Sequence, residues 1–192
     1  MKDLEKELKT LSKELTRLRR EGKLKGYSLI GALAVSAHAR PRATQDIDFL
    51  VSAEKDFFFR TFPKILEEKG YLVKVFKSTL DDPINGLIRI YDQDETELAD
   101  IIPVFWKWQE EIVAAAEEVN LSGIKLPVAR IEDLIILKLK AGGPQDLIDV
   151  EELIKAAKIS RKIDLKRLVL LAERAKVDKK LKIMADKIGL SI

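Results

Sequence analysis

The sequence predicts an α+β fold, in which a mixed β-sheet carries flanking helices and is followed by a helical C-terminal part. Over the first hundred residues, short apolar runs typical of buried strands alternate with segments whose apolar residues recur at helical spacing. From about residue 106 onward the helical spacing prevails. Hydrophobic residues make up 46% of the 192 residues, which is enough for the core of a domain of ordinary size.

The N-terminal segment, residues 1–22, is predicted to be an amphipathic helix that Gly22 ends. Its leucines recur at alternating spacings of four and three residues, which places them on one face. They are Leu4, Leu8, Leu11, Leu15 and Leu18. The seam spans only about two and a half heptads, which is short for a coiled coil. We therefore favour packing of this helix on its own domain, with a dimer seam as the alternative.

The next hundred residues are predicted to run strand, helix, strand, helix and then three strands. Apolar runs and alternation predict strands over 27–30, 46–51, 71–76, 86–91 and 97–105. A segment of small residues predicts a helix over 32–39, and a periodic segment predicts another over 54–69. Because some of these strands are joined by helices and others by turns, the order indicates a mixed sheet.

The C-terminal part is predicted to be helical, and Gly142-Gly143-Pro144 separates two of its helices. The helical segments are 106–119, 132–140, 145–158, 165–175 and 178–188, with a short extended piece over 124–128. We accordingly divide the chain into three parts. These are the N-terminal helix (1–22), an α/β core (23–128) and a C-terminal helical subdomain (129–192).

The composition excludes several kinds of chemistry. The chain has no cysteine and one histidine, so disulfides, a cysteine nucleophile, thiolate zinc sites and histidine-rich metal sites are ruled out. The histidine, His38, ends a helix of small residues, where we expect a capping role rather than catalysis. The net charge of +3 is spread along the chain and does not by itself indicate nucleic-acid binding.

Other bulk features concern the surroundings of the protein. Charged residues make up 35% of the chain and methionine is scarce, a composition typical of thermophile proteins. The N-terminus is charged, and no apolar run is long enough to cross a bilayer. We therefore expect a cytoplasmic protein with no membrane partner.

A candidate metal site begins at Asp46 and Asp48, which open a predicted strand. Side chains two residues apart on a strand point to the same face. Two like charges are unfavourable there without a cation, and carboxylate oxygens suit Mg²⁺. The Asp-x-Asp pattern is weak alone, because Asp92 and Asp94 repeat it in an expected hairpin tip. Alternatively, Asp46 caps a turn and Asp48 lies at a sheet edge.

A third carboxylate, Asp100, is flanked by apolar residues on another predicted strand, where a charge has no evident structural reason. Three carboxylates on neighbouring strands can hold two metal ions for in-line phosphoryl transfer. One ion would activate the acceptor oxygen and the other would hold the triphosphate.

Candidate phosphate contacts lie between the first two strands. Gly31 follows a strand and precedes a helix, so a phosphate can approach the backbone at the helix N-terminus. Arg40, Arg42 and Thr44 lie on the approach to the aspartates and can contact phosphate oxygens. The alternatives are an ordinary turn at Gly31 and a solvated basic loop.

The stretch from Leu29 to Asp48 resembles the first motif of the polymerase-β-type nucleotidyltransferase superfamily: a glycine, a helix, then arginine, threonine and Asp-x-Asp. Within it, the chain is most similar to small prokaryotic members around the AbiEii-type toxins. The stretches 130–141 and 146–153 also resemble segments of that family. The resemblance covers roughly residues 27–155.

The resemblance implies an Mg²⁺-dependent transfer of a nucleoside monophosphate from an NTP to a hydroxyl of RNA or protein. It implies that Asp46, Asp48 and Asp100 bind the metal, and that Asp100 activates the acceptor. Lys138 would contact the nucleotide, with Asp146 near it. The alternatives are that the stem of Lys138 lies along an apolar face, and that Asp146 favours a helix N-terminus. A toxin role with an antitoxin partner is compatible with the resemblance. A homodimer built on the leucine seam of residues 1–22 is a separate alternative.

The chain departs from the family pattern at two places. Ala32 stands in the nucleotide-binding turn where a second glycine or a serine is usual. Residues 141–145 lack the basic residue often found before the Asp-Leu-x-Asp stretch. Both changes favour, mildly, the alternative of a catalytically weak nucleotide-binding or toxin–antitoxin interaction module with the same fold.

Overall fold

A computed structural model of the chain describes residues 4–41, 43–44, 46–77, 86–161 and 163–192. Within these ranges it has seven strands and eight α-helices, with a π-helical turn over Phe57–Thr61. The strands are β1 (Leu24–Ile30), β2 (Ile47–Ala53), β3 (Leu72–Phe76), β4 (Leu87–Tyr91), β5 (Glu97–Pro103), β6 (Glu117–Leu121) and β7 (Ile124–Val128). The helices are α1 (Leu4–Arg20), α2 (Gly31–His38), α3 (Phe62–Glu67), α4 (Lys107–Ala115), α5 (Ile131–Ala141), α6 (Pro144–Ser160), α7 (Leu165–Ala175) and α8 (Asp178–Ile188).

The strands form one mixed sheet in the order β3-β4-β5-β2-β1-β7-β6. β2 pairs in parallel with β5, whereas β1 pairs with β2, and β4 with β5, in antiparallel fashion. The apolar run Phe49-Leu50-Val51 on β2 is fully buried at the centre of this sheet. The predicted α+β class with a mixed sheet is therefore confirmed.

Helix α1 packs on its own chain. Four of its leucines are buried in the common core: Leu8, Leu11, Leu15 and Leu18. A hydrogen bond of 2.7 Å joins Thr16 on α1 to the hydroxyl of Tyr27 on β1. The alternative of a dimer seam is wrong for this face, because the leucines that would form it are already buried against the sheet.

The segment after Ala115 differs from its prediction. A helix over 106–119 was expected, but α4 ends at Ala115 and the chain enters the hairpin β6-β7. Leu121 pairs with Ile124, so the hairpin turns through two residues, Ser122 and Gly123, which both have positive φ. A two-residue turn with positive φ at both positions matches the twist of the two strands that it joins. The hairpin extends the sheet at the β1 edge, through β7.

The C-terminal helices follow their predictions closely, and α7 and α8 have the predicted bounds. An ion pair of 2.7 Å joins Arg167 on α7 to the fully buried Asp133 on α5. Burial raises the pKa of Asp133 to about 6 even though Arg167 opposes the shift. None of the helices in the described ranges is long and apolar enough to cross a membrane. The division into three parts at residues 22 and 128 stays a prediction.

Candidate active site

Two of the three predicted carboxylates lie side by side. Asp48 on β2 and Asp100 on β5 are directly paired in the parallel register of these strands. Neighbouring strands are about 4.8 Å apart, and paired residues project to the same face of the sheet. Asp48 and Asp100 are therefore close neighbours, although 51 residues separate them along the chain.

Asp46 lies outside the strand that it was predicted to begin. β2 starts at Ile47, and Asp46 is exposed just before it. Its backbone N–H donates a hydrogen bond of 3.4 Å to Oγ1 of Thr44, which shapes this turn. The prediction that Asp46 and Asp48 point to the same face assumes that both lie on one strand. Because Asp46 precedes the strand, the alternation of side chains does not determine its direction.

The electrostatic state of Asp48 is unusual. Burial, followed by the charge of Asp100, raises the pKa of Asp48 to about 6. Lys138 opposes this shift, whereas Asp46 and Glu97 add to it. Asp48 is therefore a carboxylate whose negative charge is poorly compensated, which is the condition that a bound cation relieves.

Asp100, in contrast, is paired with Arg89, a residue that the sequence reasoning did not select. Arg89 lies opposite Asp100 on β4 and donates to both carboxylate oxygens, at 2.8 Å from Nε and 2.7 Å from Nη2. Its Nη1 also lies 3.1 Å from Glu97. The available signal was the position of Arg89 between two apolar residues of a predicted strand, Ile88 and Ile90, which are both buried.

The donor set fits a hard divalent cation in its chemistry. Across the described residues, no group of three or more histidine, aspartate or glutamate side chains is arranged to hold a metal ion. Mg²⁺ often binds proteins through one or two carboxylates, with substrate phosphates and waters as the other ligands. Asp48 and Asp100 satisfy that requirement by residue type and position.

Gly31 makes the position of Asp48 possible. Its φ of +68° is in the left-handed region that favours glycine. A Cβ atom at this residue would lie 1.9 Å from Oδ2 of Asp48. The carboxylate thus packs directly against the backbone at the start of α2, whose N-cap, Ile30, provides no side-chain hydrogen bond. The side chain of Ala32 is buried, so this residue can offer only backbone atoms to a ligand.

Lys138 is held by two carboxylates from α6. Its Nζ lies 2.8 Å from Oδ1 of Asp146 and 3.0 Å from Oδ2 of Asp149. Burial alone would lower the pKa of Lys138, but these carboxylates outweigh it and the pKa is raised. Asp146 also accepts the backbone N–H of Gly143 at 3.1 Å. The sequence reasoning missed Asp149 as a site residue, although it lies one helical turn after Asp146 on the same face.

A cavity of about 400 Å³ lies beside Asp48 and Lys138, and we call it the carboxylate cavity. Asp46 and Asp100 lie outside its lining. Gly31, Asp48, Lys138 and Asp146 line its polar side. The apolar side includes Leu50 and Ile102 on the sheet, Leu137 on α5, and the aromatic residues Phe105, Trp106 and Trp108. The predicted nucleotide contacts Gly31, Lys138 and Asp146 therefore share one cavity with Asp48.

Other predicted residues lie elsewhere. Arg40 is exposed and Thr44 is partly buried, and both lie outside the lining of the carboxylate cavity. Arg42 lies outside the described residues. Nε2 of His38 makes a hydrogen bond of 2.8 Å with the carbonyl oxygen of Ala129. This contact ties α2 to the segment before α5 and gives His38 a structural role.

A family model described as "Nucleotidyltransferase of unknown function (DUF6036)" matches residues 6–186. Among solved structures, the chain is similar to an antigenic nucleotidyltransferase-like protein from Paracoccidioides brasiliensis. The identity is 14% and the TM-score 0.51, over 97% of this chain and 94% of that one. No curated protein sequence matches the chain.

The chain is also similar to the antibiotic-resistance factor ANT(2'')-Ia. Its solution structure gives 19% identity and a TM-score of 0.50, over 93% of this chain and 95% of that one. A crystal structure of ANT(2")-Ia in complex with adenylyl-2"-tobramycin gives 20% identity and a TM-score of 0.50, over 90% and 97%. At these identities the likeness concerns the fold.

Proposed function

Since the chain belongs to the DUF6036 family of nucleotidyltransferases, we propose that it transfers a nucleoside monophosphate from an NTP to a hydroxyl of RNA or protein. Pyrophosphate is the other product. The observation that carries this proposal is the direct pairing of Asp48 with Asp100 on adjacent parallel strands, beside a cavity lined by Gly31 and Lys138.

Mg²⁺ is the proposed cofactor, with Asp48 and Asp100 as its ligands and Asp46 as the third ligand that the resemblance implies. The raised pKa of Asp48 supports this assignment, because a divalent cation would relieve the repulsion between the carboxylates. When bound, the ion would supply positive charge beside the triphosphate oxygens.

In the transfer, the acceptor hydroxyl oxygen forms a bond to the α-phosphorus. The bond from that phosphorus to the oxygen that bridges the α- and β-phosphates breaks, and its electron pair leaves on pyrophosphate. The hydroxyl proton passes to a carboxylate oxygen of Asp100. Arg89 orients this carboxylate through both oxygens, and each oxygen keeps a second lone pair.

The remaining polar groups are assigned to the triphosphate. Backbone N–H groups at the start of α2, next to Gly31, suit phosphate oxygens because a helix N-terminus favours anions. The ammonium group of Lys138, which lines the same cavity, is assigned to a triphosphate oxygen as a hydrogen-bond donor. Asp146 and Asp149 position its ammonium group and keep it protonated.

The direct test is transfer of label from [α-³²P]NTPs to mixed cellular RNA or to a protein extract, with Mg²⁺ present. We expect product from α-labelled but not γ-labelled NTPs. Asp48→Asn and Asp100→Asn should each lower the rate about 100-fold or more, because each removes a carboxylate assigned to Mg²⁺ and Asp100→Asn also removes the proton acceptor. Asp94→Asn is the matched control, because Asp94 lies exposed at the β4-β5 turn. Equal rates for all four proteins would refute the assigned site.

Titration calorimetry with each NTP and Mg²⁺ distinguishes the proposed enzyme from the alternative. That alternative is a catalytically weak nucleotide-binding or toxin–antitoxin module. Binding without transfer to any acceptor would support the module. Binding that is lost in Lys138→Met, together with transfer by the wild type, supports the enzyme. Failure of the wild type both to bind NTPs and to transfer label would contradict both.

The narrower similarity to AbiEii-type toxins, and with it an antitoxin partner, stays a prediction. A toxin of this kind should arrest growth when expressed, and the arrest should disappear in Asp48→Asn. Growth that is unaffected by the wild-type protein, at an expression level confirmed by blotting, would argue against a toxin role. Cytoplasmic location, a thermophile source and a homodimer also stay predictions.

A further inference from the structure

A second cavity, of about 430 Å³, lies at the carboxyl ends of β2 and β5. We call it the basic cavity. Three cationic side chains and one carboxylate line it: Lys55, Arg60, Lys77 and Asp56. Arg60 and Asp56 form an ion pair of 3.8 Å, and both side chains are largely exposed. A pair of this kind is weak in water, so the cavity keeps a positive field.

The basic cavity adjoins the carboxylate cavity. Pro103 and Phe105 line both, so the two spaces meet at the end of β5. β2 runs between them, from Asp48 to Ala53, where the lining of the basic cavity begins. Five strand residues span about 17 Å. The basic cavity therefore lies at a distance that an extended ligand can bridge while its end reaches Asp48.

An aromatic platform stands at the junction. The side chains of Phe105 and Trp106 keep 56% and 46% of their surface exposed, which is high for large aromatic residues. Their ring centroids are 4.9 Å apart. The backbone N–H groups of both residues donate to Oε1 of Gln109, each at 2.9 Å. The platform is thus held in place by its backbone while its rings face outward.

Exposed aromatic rings beside a group of cationic side chains form the pattern that binds single-stranded nucleic acid, because bases stack on the rings and phosphates contact the cations. We propose that the acceptor is single-stranded RNA. Its terminal base stacks on Phe105 or Trp106, and its upstream phosphates lie against Lys55, Arg60 and Lys77. Its 3′ end then enters the carboxylate cavity.

This inference rests on the proposed transfer and specifies its acceptor. The terminal ribose hydroxyl oxygen forms the new bond to the α-phosphorus of the NTP, and the bond to the bridging oxygen breaks. Pyrophosphate leaves with the electron pair, and the proton passes to Asp100. The RNA gains one nucleoside monophosphate.

A third cavity, of about 390 Å³, lies beside α1, and we call it the α1 cavity. It provides the control. It contains more cationic residues, among them Lys9 and Lys13, but no aromatic side chain lines it in the described structure. It shares no lining residue with the carboxylate cavity. If charge alone attracted RNA, the α1 cavity would bind RNA as well as the basic cavity does.

The test is fluorescence anisotropy of a 5′-labelled twelve-residue oligouridylate, without NTP, over a series of salt concentrations. Three phosphate contacts predict a slope of about −2 for log K against log salt with a single strand. Lys55→Glu/Arg60→Glu should weaken binding at least tenfold and reduce the slope in magnitude by about 1.4. Lys9→Glu/Lys13→Glu, which makes the same change in charge on exposed residues, should change binding less than twofold.

The aromatic contribution is tested by Phe105→Ala and Trp106→Ala. Loss of a stacked base should weaken oligouridylate binding about fivefold or more in at least one of them. Circular dichroism verifies that each variant is folded, which the exposure of both side chains favours. The proposal is overturned if the wild type does not bind the oligonucleotide, or if both charge-reversed variants lose binding equally.

Transfer assays separate this proposal from the proposed function. If wild-type protein adds label to a protein, and the Lys55→Glu/Arg60→Glu variant does so at the same rate, the enzyme is retained and the RNA acceptor is rejected. If RNA binding depends on the basic cavity but no NTP is bound or consumed, the transfer itself is rejected. If the wild type extends the oligouridylate, and a 3′-phosphate on the oligouridylate prevents extension, both the transfer and the RNA acceptor are supported.

Discussion

Asp48→Asn should stabilise the protein while it abolishes transfer. In the wild type, the carboxyl of Asp48 is pressed against Gly31 and lies beside Asp100, and its pKa is raised from 3.8 to about 6. An asparagine of nearly the same shape carries no charge, so burial and repulsion no longer oppose folding. Removal of an unfavourable charge from an active site commonly raises stability and lowers activity.

The magnitude follows from the pKa. A rise from 3.8 to about 6 corresponds to about 3 kcal/mol at a pH above both values. Since Asp48 keeps some contact with solvent at the cavity, we expect between about 1 and 3 kcal/mol. A carboxyl whose pKa is raised on folding favours the folded state at low pH, and this contribution is lost as pH rises through about 6. The advantage of the variant should therefore be small near pH 4 and full at pH 7.5.

The assay is urea denaturation followed by tryptophan fluorescence at pH 4.5, 6.0 and 7.5, with EDTA present. Trp106 and Trp108 both line the carboxylate cavity and report on this region. Asp46→Asn is the matched control, because Asp46 is exposed and a surface substitution changes stability by about 0.5 kcal/mol or less. A variant no more stable than the wild type at pH 7.5, or an advantage independent of pH, would refute the electrostatic reasoning.

A second arm of the same experiment adds Mg²⁺. A ligand that binds only the folded state at 100 times its Kd stabilises it by about 2.7 kcal/mol. The wild type should gain stability from Mg²⁺, and Asp48→Asn should gain much less. Equal gains for the two proteins would mean that the ion binds elsewhere.

Three further predictions concern the glycine beside Asp48, the packing of α1 and the buried charge of Asp133. Gly31→Ala should lower stability by about 1–3 kcal/mol and weaken NTP binding, because it strains the backbone and displaces Asp48. Gly22→Ala, at a similar φ of +72° with no atom within 4 Å, should show only the backbone part. Leu15→Ala should cost about 2–5 kcal/mol without changing the sedimentation coefficient of the folded protein, because Leu15 is buried in its own chain. The free energy of unfolding of Asp133→Asn, relative to that of the wild type, should increase by up to about 3 kcal/mol between pH 4 and pH 7.5. The reason is that the pKa of Asp133 is raised, so that its ionisation increasingly destabilises the folded wild type as pH rises.

Each of these has a contrary outcome. Equal losses of stability and of NTP affinity in the two glycine variants would show that the approach of Asp48 to Gly31 is unimportant. A change of oligomeric state in Leu15→Ala would restore the dimer seam. A difference between wild type and Asp133→Asn that is constant with pH would show that Arg167 compensates the charge of Asp133 fully. Urea denaturation, analytical ultracentrifugation and calorimetry with NTPs provide the measurements.

The helices α7 and α8 illustrate what local signals can specify. Their predicted bounds match the structure, because the chain around them contains its own start and stop signals. The side chain of Asp164 accepts the backbone N–H of Arg167 at 2.9 Å and begins α7. Gly189, with a φ of +67°, ends α8. Such caps act within one turn of helix and are legible without the rest of the fold.

The hairpin β6-β7 illustrates the opposite case. The segment 117–119 continues a helical pattern locally, yet the structure places it in a strand. Its hydrogen bonds are made with β7, which in turn pairs with β1 at the far end of the chain. Strand formation here depends on partners, so periodicity within the segment pointed to the wrong element.

For the candidate site, the pattern of residues indicated the chemistry and the fold arranged the charges. Asp48 and Asp100 stand out in any reading of the chain, because each carries a charge among apolar strand residues. That they are direct neighbours, that Arg89 neutralises one of them, and that Asp149 joins Asp146 around Lys138 follow from strand register and helix packing. Charges interact according to their distance in space and their burial, and separation along the chain determines neither.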